Sequence, residues 1–247
     1  GLGKSKGGPM KPHRAHVREV IRPQDPAVDR GYRLLQRTFP KAEVVRRSEW
    51  HESLRERKAA LWTDTRWHLV VAEVAGKIAG VVSGTYLGNV NTGVIGYLVV
   101  ARSARRSGIG PRLRARLEAA FRRDALRIRG IPLQAVVGEV RRDNPWLRTL
   151  MLREQVLALD FPYLQPQLRR SEEPVSLVFY YKSLDHVRRR LSAATIRRLL
   201  YTIWRRIYRI RRPLSDLAFR RMLAALSTKR TVGAIRLPAP PTRPRAG

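Results

Sequence analysis

The segment Arg105-Arg106-Ser107-Gly108-Ile109-Gly110 has the composition of an anion cradle. Glycines let a backbone approach a ligand closely and aim several N–H groups at one anion. A helix starting there adds about half a positive charge at its N-terminus. Arg105 and Arg106 supply formal charge, so the segment suits a pyrophosphate. Glu139, in Gly138-Glu139-Val140, could accept a proton from an ammonium, directly or through water, and would attract a cation. Its alternative is a strand-end carboxylate paired with Arg141 or Arg142. Tyr163, in Phe161-Pro162-Tyr163-Leu164, could donate a proton, or be a packed aromatic. His68 and Glu73, on an early strand, are weaker candidates that read more readily as structural or surface groups.

Other chemistries find less support. The 247 residues contain no cysteine, which excludes disulfides, thiolate catalysis and cysteine-based metal sites. The five histidines (His13, His16, His51, His68, His186) show no ligand spacing, so no metal is expected. Ser83-Gly84 lacks the Gly-x-Ser-x-Gly frame of a nucleophile elbow. Gly3-Lys4-Ser5 resembles the end of a phosphate-binding loop but has no strand before it. No apolar run reaches membrane-spanning length and no secretory pattern opens the chain, so a cytoplasmic location is expected.

The cradle needs a strand before it and a helix after it, and the hydrophobic pattern supplies both. Residues 92–100 (TGVIGYLVV) read as a strand. Pro111 fits the first turn of a helix reaching Leu126, with Leu113, Leu117, Ala120 and Phe121 on one face. Upstream, residues 16–21 suit a short strand. Asp25 suits the N-cap of a helix with Pro26 at its first position and Pro40 ending it. A second helix is expected over 44–61. Residues 68–74 and 78–87 read as two strands joined by Ala75-Gly76-Lys77. Downstream, a strand over 132–140 would carry Glu139. An amphipathic helix is expected over 145–159, then strands near 161–168 and 175–181. The order β α α β β β α β α β β predicts a mixed α/β fold.

A strand ending in valines, then Arg105-x-x-Gly108-x-Gly110 and a helix, resembles the GNAT superfamily of N-acetyltransferases over about residues 16–184. The resemblance implies a mostly antiparallel central sheet flanked by helices, and acetyl-CoA or another acyl-CoA as co-substrate. It implies that amides of Arg106, Ser107, Gly108, Ile109 and Gly110 cradle the pyrophosphate. It implies that the edge at Leu98, Val99 and Val100 pairs with the pantetheine arm where the fourth and fifth strands splay, and that amides near Val99 and Val100 polarise the thioester carbonyl. Asn144 matches an Asn that opens the next helix. Pro111 lacks an N–H, so one donor is missing from the cradle. The family's usual acid, a Tyr seven residues after that Asn, falls on Met151, which cannot donate a proton. Gln155 and Val156 stand where Gly-Phe is common. The expected reaction is acyl transfer to an amine in a ternary complex, with Glu139 as base. The alternative is a non-catalytic relative acting as a scaffold or as a nucleic-acid- or ribosome-associated protein.

Charge divides the chain. Its 51 Lys+Arg against 19 Asp+Glu give +32, which favours polyanionic partners. Arginines outnumber lysines 43 to 8, a bias that GC-rich coding alone can produce. Residues 186–247 hold 17 cations and one acid, Asp216. The expected organisation is a flexible leader (1–15), an acyl-CoA-binding domain (16–184), a basic helical extension (185–235) and a Pro-rich tail (236–247). In the extension, apolar Leu191, Ile196, Leu199, Leu200, Ile203, Ile207 and Ile210 recur at helical spacing, with Pro213 as a stop. A shorter helix would follow, with Ser215 as N-cap. The extension could pack its apolar stripe on the domain or on a second copy of the chain. It could bind nucleic acid, with Tyr201, Trp204 and Tyr208 stacking on bases, or lie on an anionic membrane surface.

Overall fold

The computed structural model describes residues 14–168 and 173–237. Most of the leader, including Gly3-Lys4-Ser5, and residues 238–247 of the Pro-rich tail lie outside the described residues.

Strand β1 (His16–Val20) leads to α1 (Pro26–Thr38), capped as expected: the Asp25 carboxylate accepts from the Ala27 N–H at 2.9 Å. Helix α2 (Arg47–Lys58) is shorter than its pattern, because residues 41–43 form a separate 3-10 turn held beneath Tyr97. Strands β2 (Thr65–Val74) and β3 (Lys77–Leu87) form a hairpin. Its two turn residues, Ala75 and Gly76, have φ of 50° and 76°, the left-handed pair that matches strand twist. β4 (Thr92–Val100) has the expected bounds. α3 (Ile109–Asp124) starts two residues before Pro111, and a π-helical turn extends it to Arg129. β5 (Ala135–Val140) carries Glu139.

The helix expected over 145–159 is half that length. α4 (Trp146–Leu152) ends before Gln155, whose φ is 53°, and β6 (Leu157–Ala158) follows. The reason lies in packing. Val156 and Ala158 enter one core cluster while Leu157 and Leu159 enter another, a period of two with both faces apolar. β7 (Tyr163–Gln165) and β8 (Val175–Ser183) complete the sheet, whose order is β1-β2-β3-β4-β5-β8-β6, with β7 also on β8. Every pairing is antiparallel except β4 with β5.

β9 (Arg190–Ser192) pairs with β10 (Thr231–Gly233) as a ribbon framing α5 (Ala193–Arg206) and α6 (Leu217–Ser227). Asp216, not Ser215, caps α6: its carboxylate accepts from Ala218 and Phe219 at 2.8 and 3.2 Å. α5 ends before Pro213, as Arg209 turns the chain at φ 58° and Tyr208 reaches the sheet. Ile196, Leu199, Leu200, Ile203 and Trp204 are buried with Val137, Phe179 and Tyr181 of the sheet. Each such side chain contributes about 1.5–3 kcal/mol. The apolar stripe is thus spent on this chain's own sheet. Trp204 is fully buried against Phe219, so it is closed to a base.

The sheet has two covered faces. On one, α1 and α2 lie over β1–β4, and α5 and α6 over β5–β8. On the other, α3 covers the first half and α4 the second. Each face leaves a gap at the β4–β5 seam.

Candidate active site

The seam opens because β4 and β5 pair only at Thr92, Gly93 and Val94, against Ala135, Val136 and Val137. Beyond that point β4 carries a bulge. Ser83 pairs with Tyr97 and Gly84 with Ile95, which leaves Gly96 unpaired. Bulges bend a strand and increase its local twist. The β5-side edge of β4 from Ile95 to Val100 therefore has no strand neighbour. Leu98, Val99 and Val100 are on this edge, backed by Val82, Val81 and Gly80 of β3. The strands separate at Ile95–Tyr97, a few residues earlier than Val99.

On the α3 face the gap is a cavity of about 380 Å³ between α3, α4, β5 and β8. Ile95, Pro111, Val136, Leu150 and Tyr180 line it. Tyr180 is paired with Gly138, and its ring fills the space a side chain there would need: a Cβ on Gly138 would collide with the Tyr180 hydroxyl. Among the described residues that hydroxyl has no hydrogen-bond partner. Burial raises its pKa well above the ordinary tyrosine value, so it is protonated at neutral pH. Sequence alternation alone could not single out Tyr180; it needs the β5–β8 register.

The anion cradle lies at the start of α3. Arg106 and Gly108 have φ of 63° and 79°, and nothing lies within 4 Å of a Cβ placed on Gly108. The N–H groups of Arg106, Ser107, Gly108, Ile109 and Gly110 have no backbone acceptor among the described residues. Arg105 and Arg106 are exposed and, among the described residues, form no ion pair. Free amides, a helix N-terminus and unpaired guanidinium groups fit a pyrophosphate. Asn144 lies after β5, with Oδ1 accepting from the Trp146 N–H at 2.9 Å at the start of α4. Met151 packs against the apolar cluster beneath α4.

On the opposite face the gap is a cavity of about 590 Å³ between α2, β2–β5 and the end of α5. Trp50, Trp67, Tyr97 and Tyr208 form aromatic walls, with Ser83 and Glu139 toward the seam. Ile95 lines both cavities, so they approach each other through the opened seam.

Glu139 has an unusual setting for so basic a chain. Arg141 turns away from it to Glu43, at 2.6 Å, and to Asp143. Glu139 instead accepts hydrogen bonds from Tyr163 and from Tyr208, the latter at 3.0 and 2.9 Å. Enclosure pushes its pKa up to about 7, against the two tyrosine hydrogen bonds, which lower it. Tyr163 is fully buried behind Glu139, and its hydroxyl is committed to that carboxylate. Tyr208, considered from sequence as a stacking residue, is a partner of Glu139 instead. The link spans 69 positions, which no local pattern reveals.

His68 and Glu73 lie elsewhere. His68 is buried between Glu19 and Asp124, both at 2.5 Å, and Glu73 pairs with Arg18. Neither lines a cavity at the seam.

No curated protein matches this sequence. Among solved structures, the chain is similar to a GNAT-family protein from Bacteroides thetaiotaomicron at 14% identity, over 79% of this chain and 99% of that one, with a TM-score of 0.55. It is similar to an N-acetyltransferase from Staphylococcus aureus Mu50 at 14% identity, over 70% and 99%, with a TM-score of 0.50. These likenesses show the fold. The sequence profile of the acetyltransferase (GNAT) family matches residues 28–137, from within α1 through β4, the cradle and α3 into the start of β5. Residues 28–137 therefore match the acetyltransferase (GNAT) family, and the sheet they help build continues beyond them.

Proposed function

We propose that this protein transfers an acetyl or other acyl group from acyl-CoA to an amine, with the two substrates entering from opposite faces of the sheet. The observation that supports this most directly is the pair of cavities that share Ile95 where β4 and β5 part. The donor lies on the α3 face, its pyrophosphate on the amides of residues 106–110 and its pantetheine arm along the free edge of β4. The amine enters from the aromatic cavity and loses a proton to Glu139. Its nitrogen lone pair attacks the thioester carbon, the carbon–sulfur bond breaks, the departing thiolate takes a proton, and the surplus proton left on the nitrogen passes through solvent to restore the group that gave it. Tyr180, on the donor face with an uncommitted hydroxyl, is the group placed to supply that proton. Tyr163 and Tyr208 hold the Glu139 carboxylate. Positioning two reactants in one frame supplies much of the acceleration.

Calorimetric titration with acetyl-CoA, with CoA and ATP as controls, tests the reading. Micromolar binding of acetyl-CoA and CoA that ATP does not share supports it. Equal binding of all three, abolished by moderate salt, would reduce the cradle to general charge attraction. With binding established, Tyr180→Phe is expected to keep the affinity for acetyl-CoA and lose turnover.

A further inference from the structure

A second cationic feature lies away from the cradle. The β9–β10 ribbon and the end of β5 enclose an open groove lined by Arg142, Arg189, Arg190, Lys229, Arg230 and Arg236, with Asp160 the only acid among the described lining residues. Among the described residues none of the six cations is ion-paired with a carboxylate. Other arginines are: Arg18, Arg57, Arg114 and Arg141 all hold carboxylates. Six like charges gathered without counter-charge repel one another, and an external polyanion relieves that repulsion.

The groove has a fixed frame. Arg190 donates through Nε to Thr231 Oγ1 at 2.8 Å and through Nη2 to the Thr231 carbonyl at 3.2 Å. Its guanidinium lies over Gly233, where a Cβ would meet Nη1 at 2.8 Å. Lys229 Nζ donates to the Asp160 carbonyl at 3.4 Å, and the Asp160 N–H bonds the Gly233 carbonyl at 2.9 Å.

We infer that this groove binds the phosphate backbone of a nucleic acid. It is concave, its larger apolar lining residue Val232 is buried, and the exposed Ala234 offers a single methyl group, so it has no face for insertion into a lipid surface. It presents no aromatic side chain, so it contacts phosphates rather than bases and reads no sequence. The site is the ribbon, not the aromatic stripe of α5. It is independent of the acyl-transfer reading.

The test is fluorescence anisotropy of the full chain with a labelled RNA hairpin across a series of KCl concentrations. Arg189→Glu/Arg230→Glu is compared with Arg30→Glu/Arg37→Glu, an equal charge change on the exposed side of α1. The groove variant is expected to bind at least about tenfold more weakly, with a log–log salt slope flatter by about two, since each lost phosphate contact removes close to one unit. The α1 variant is expected to stay within about threefold of the parent. The milder Arg189→Gln/Arg230→Gln pair should flatten the slope as much with a smaller loss of affinity. Equal weakening by the groove and α1 variants would overturn the site in favour of diffuse net charge. Binding of phosphatidylserine vesicles that the groove variant weakens, with RNA binding unchanged, would overturn the nucleic-acid assignment.

Discussion

Glu19 and Glu139 are both enclosed carboxylates in the same sheet, and burial pushes the pKa of each upward. They end far apart. At Glu19 the hydrogen bonds and charges of His68 and Arg57 outweigh burial and bring it down to about 2. At Glu139 only tyrosine hydroxyls answer burial, and the pKa stands at about 7. The difference is one of neighbours. A carboxylate surrounded by cations is a fixed anion that ties elements together: Glu19, His68, Asp124 and Arg57 join β1, β2, the end of α3 and α2. A carboxylate kept from cations gives up and takes a proton near neutral pH, the property a general base needs. In a chain with 51 Lys+Arg, the isolation of Glu139 is the feature to explain. It is achieved by diverting Arg141 to Glu43 and by filling the remaining space with Tyr163, Tyr208 and Phe179.

Breaking the Glu139 side of the contrast gives the largest expected effect. Glu139→Gln should lower kcat by about 10²- to 10⁴-fold, the range for loss of a general base. The rise of the wild-type rate through pH 7 should vanish with it. Stability should move the other way. A carboxyl whose folded pKa is raised to about 7 stabilises the fold below its ordinary 4.5 and loses that contribution as pH climbs through 7. Glu139→Gln should therefore raise Tm relative to wild type at pH 8 more than at pH 4.5. A variant that loses activity and Tm together would mean Glu139 is merely structural.

Breaking the Glu19 side should cost stability and spare chemistry. His68→Ala leaves two buried carboxylates without their shared cation, at about 3–5 kcal/mol. Burial lowers the His68 pKa, but the hydrogen bonds it donates to Asp124 and Glu19 outweigh burial and raise it above 6.5. That contribution is complete below pH 6.5 and fades as pH rises through the folded value. The Glu19 contribution is complete above 4.5 and fades as pH falls toward 2. Denaturant melts of both proteins from pH 4 to 9 should show the largest gap at mildly acidic pH. Turnover per folded molecule at low temperature should be unchanged.

Gly138→Ala probes the opposite face of the strand that carries Glu139. Its methyl group would displace Tyr180, an overpacking cost of about 1–3 kcal/mol. If Tyr180 supplies the proton, turnover should fall further than the melting temperature predicts.

The fold was legible wherever local rules decide it. Asp25-Pro26, Ala75-Gly76, the bounds of β4 and the glycines at 108 and 110 all follow from capping, turn and steric chemistry within a few residues. Glu139 was legible as a carboxylate on a strand, but its isolation was not, because Tyr208 arrives from 69 residues away. Residues 156–159 continue the helical pattern in sequence yet enter the sheet, because a strand apolar on both faces has no period to show. The aromatic stripe of α5 suggested base stacking, yet apolar spacing cannot tell a partner's surface from the chain's own sheet.

The smallest effect is the most diagnostic of neighbour control. Tyr208→Phe removes hydrogen bonds at 3.0 and 2.9 Å from both Glu139 oxygens and adds no charge. Those bonds stabilise the carboxylate, so their loss should raise the Glu139 pKa further. The midpoint of the rate's rise should move to higher pH. At pH 7 the variant should be several-fold slower, because less of the base is ionised, and near pH 9 it should approach the wild-type rate. A loss that is equal at every pH would show that Tyr208 shapes the cavity instead of tuning the acid. Arg209 sharpens that distinction, because it follows Tyr208 and pairs with Glu56 at 2.6 Å across the cavity mouth. Arg209→Ala removes a partly exposed ion pair worth about 0–1 kcal/mol and leaves Tyr208 in place. It should loosen the segment and change KM for the amine, while the pH midpoint set by Tyr208 stays where it was.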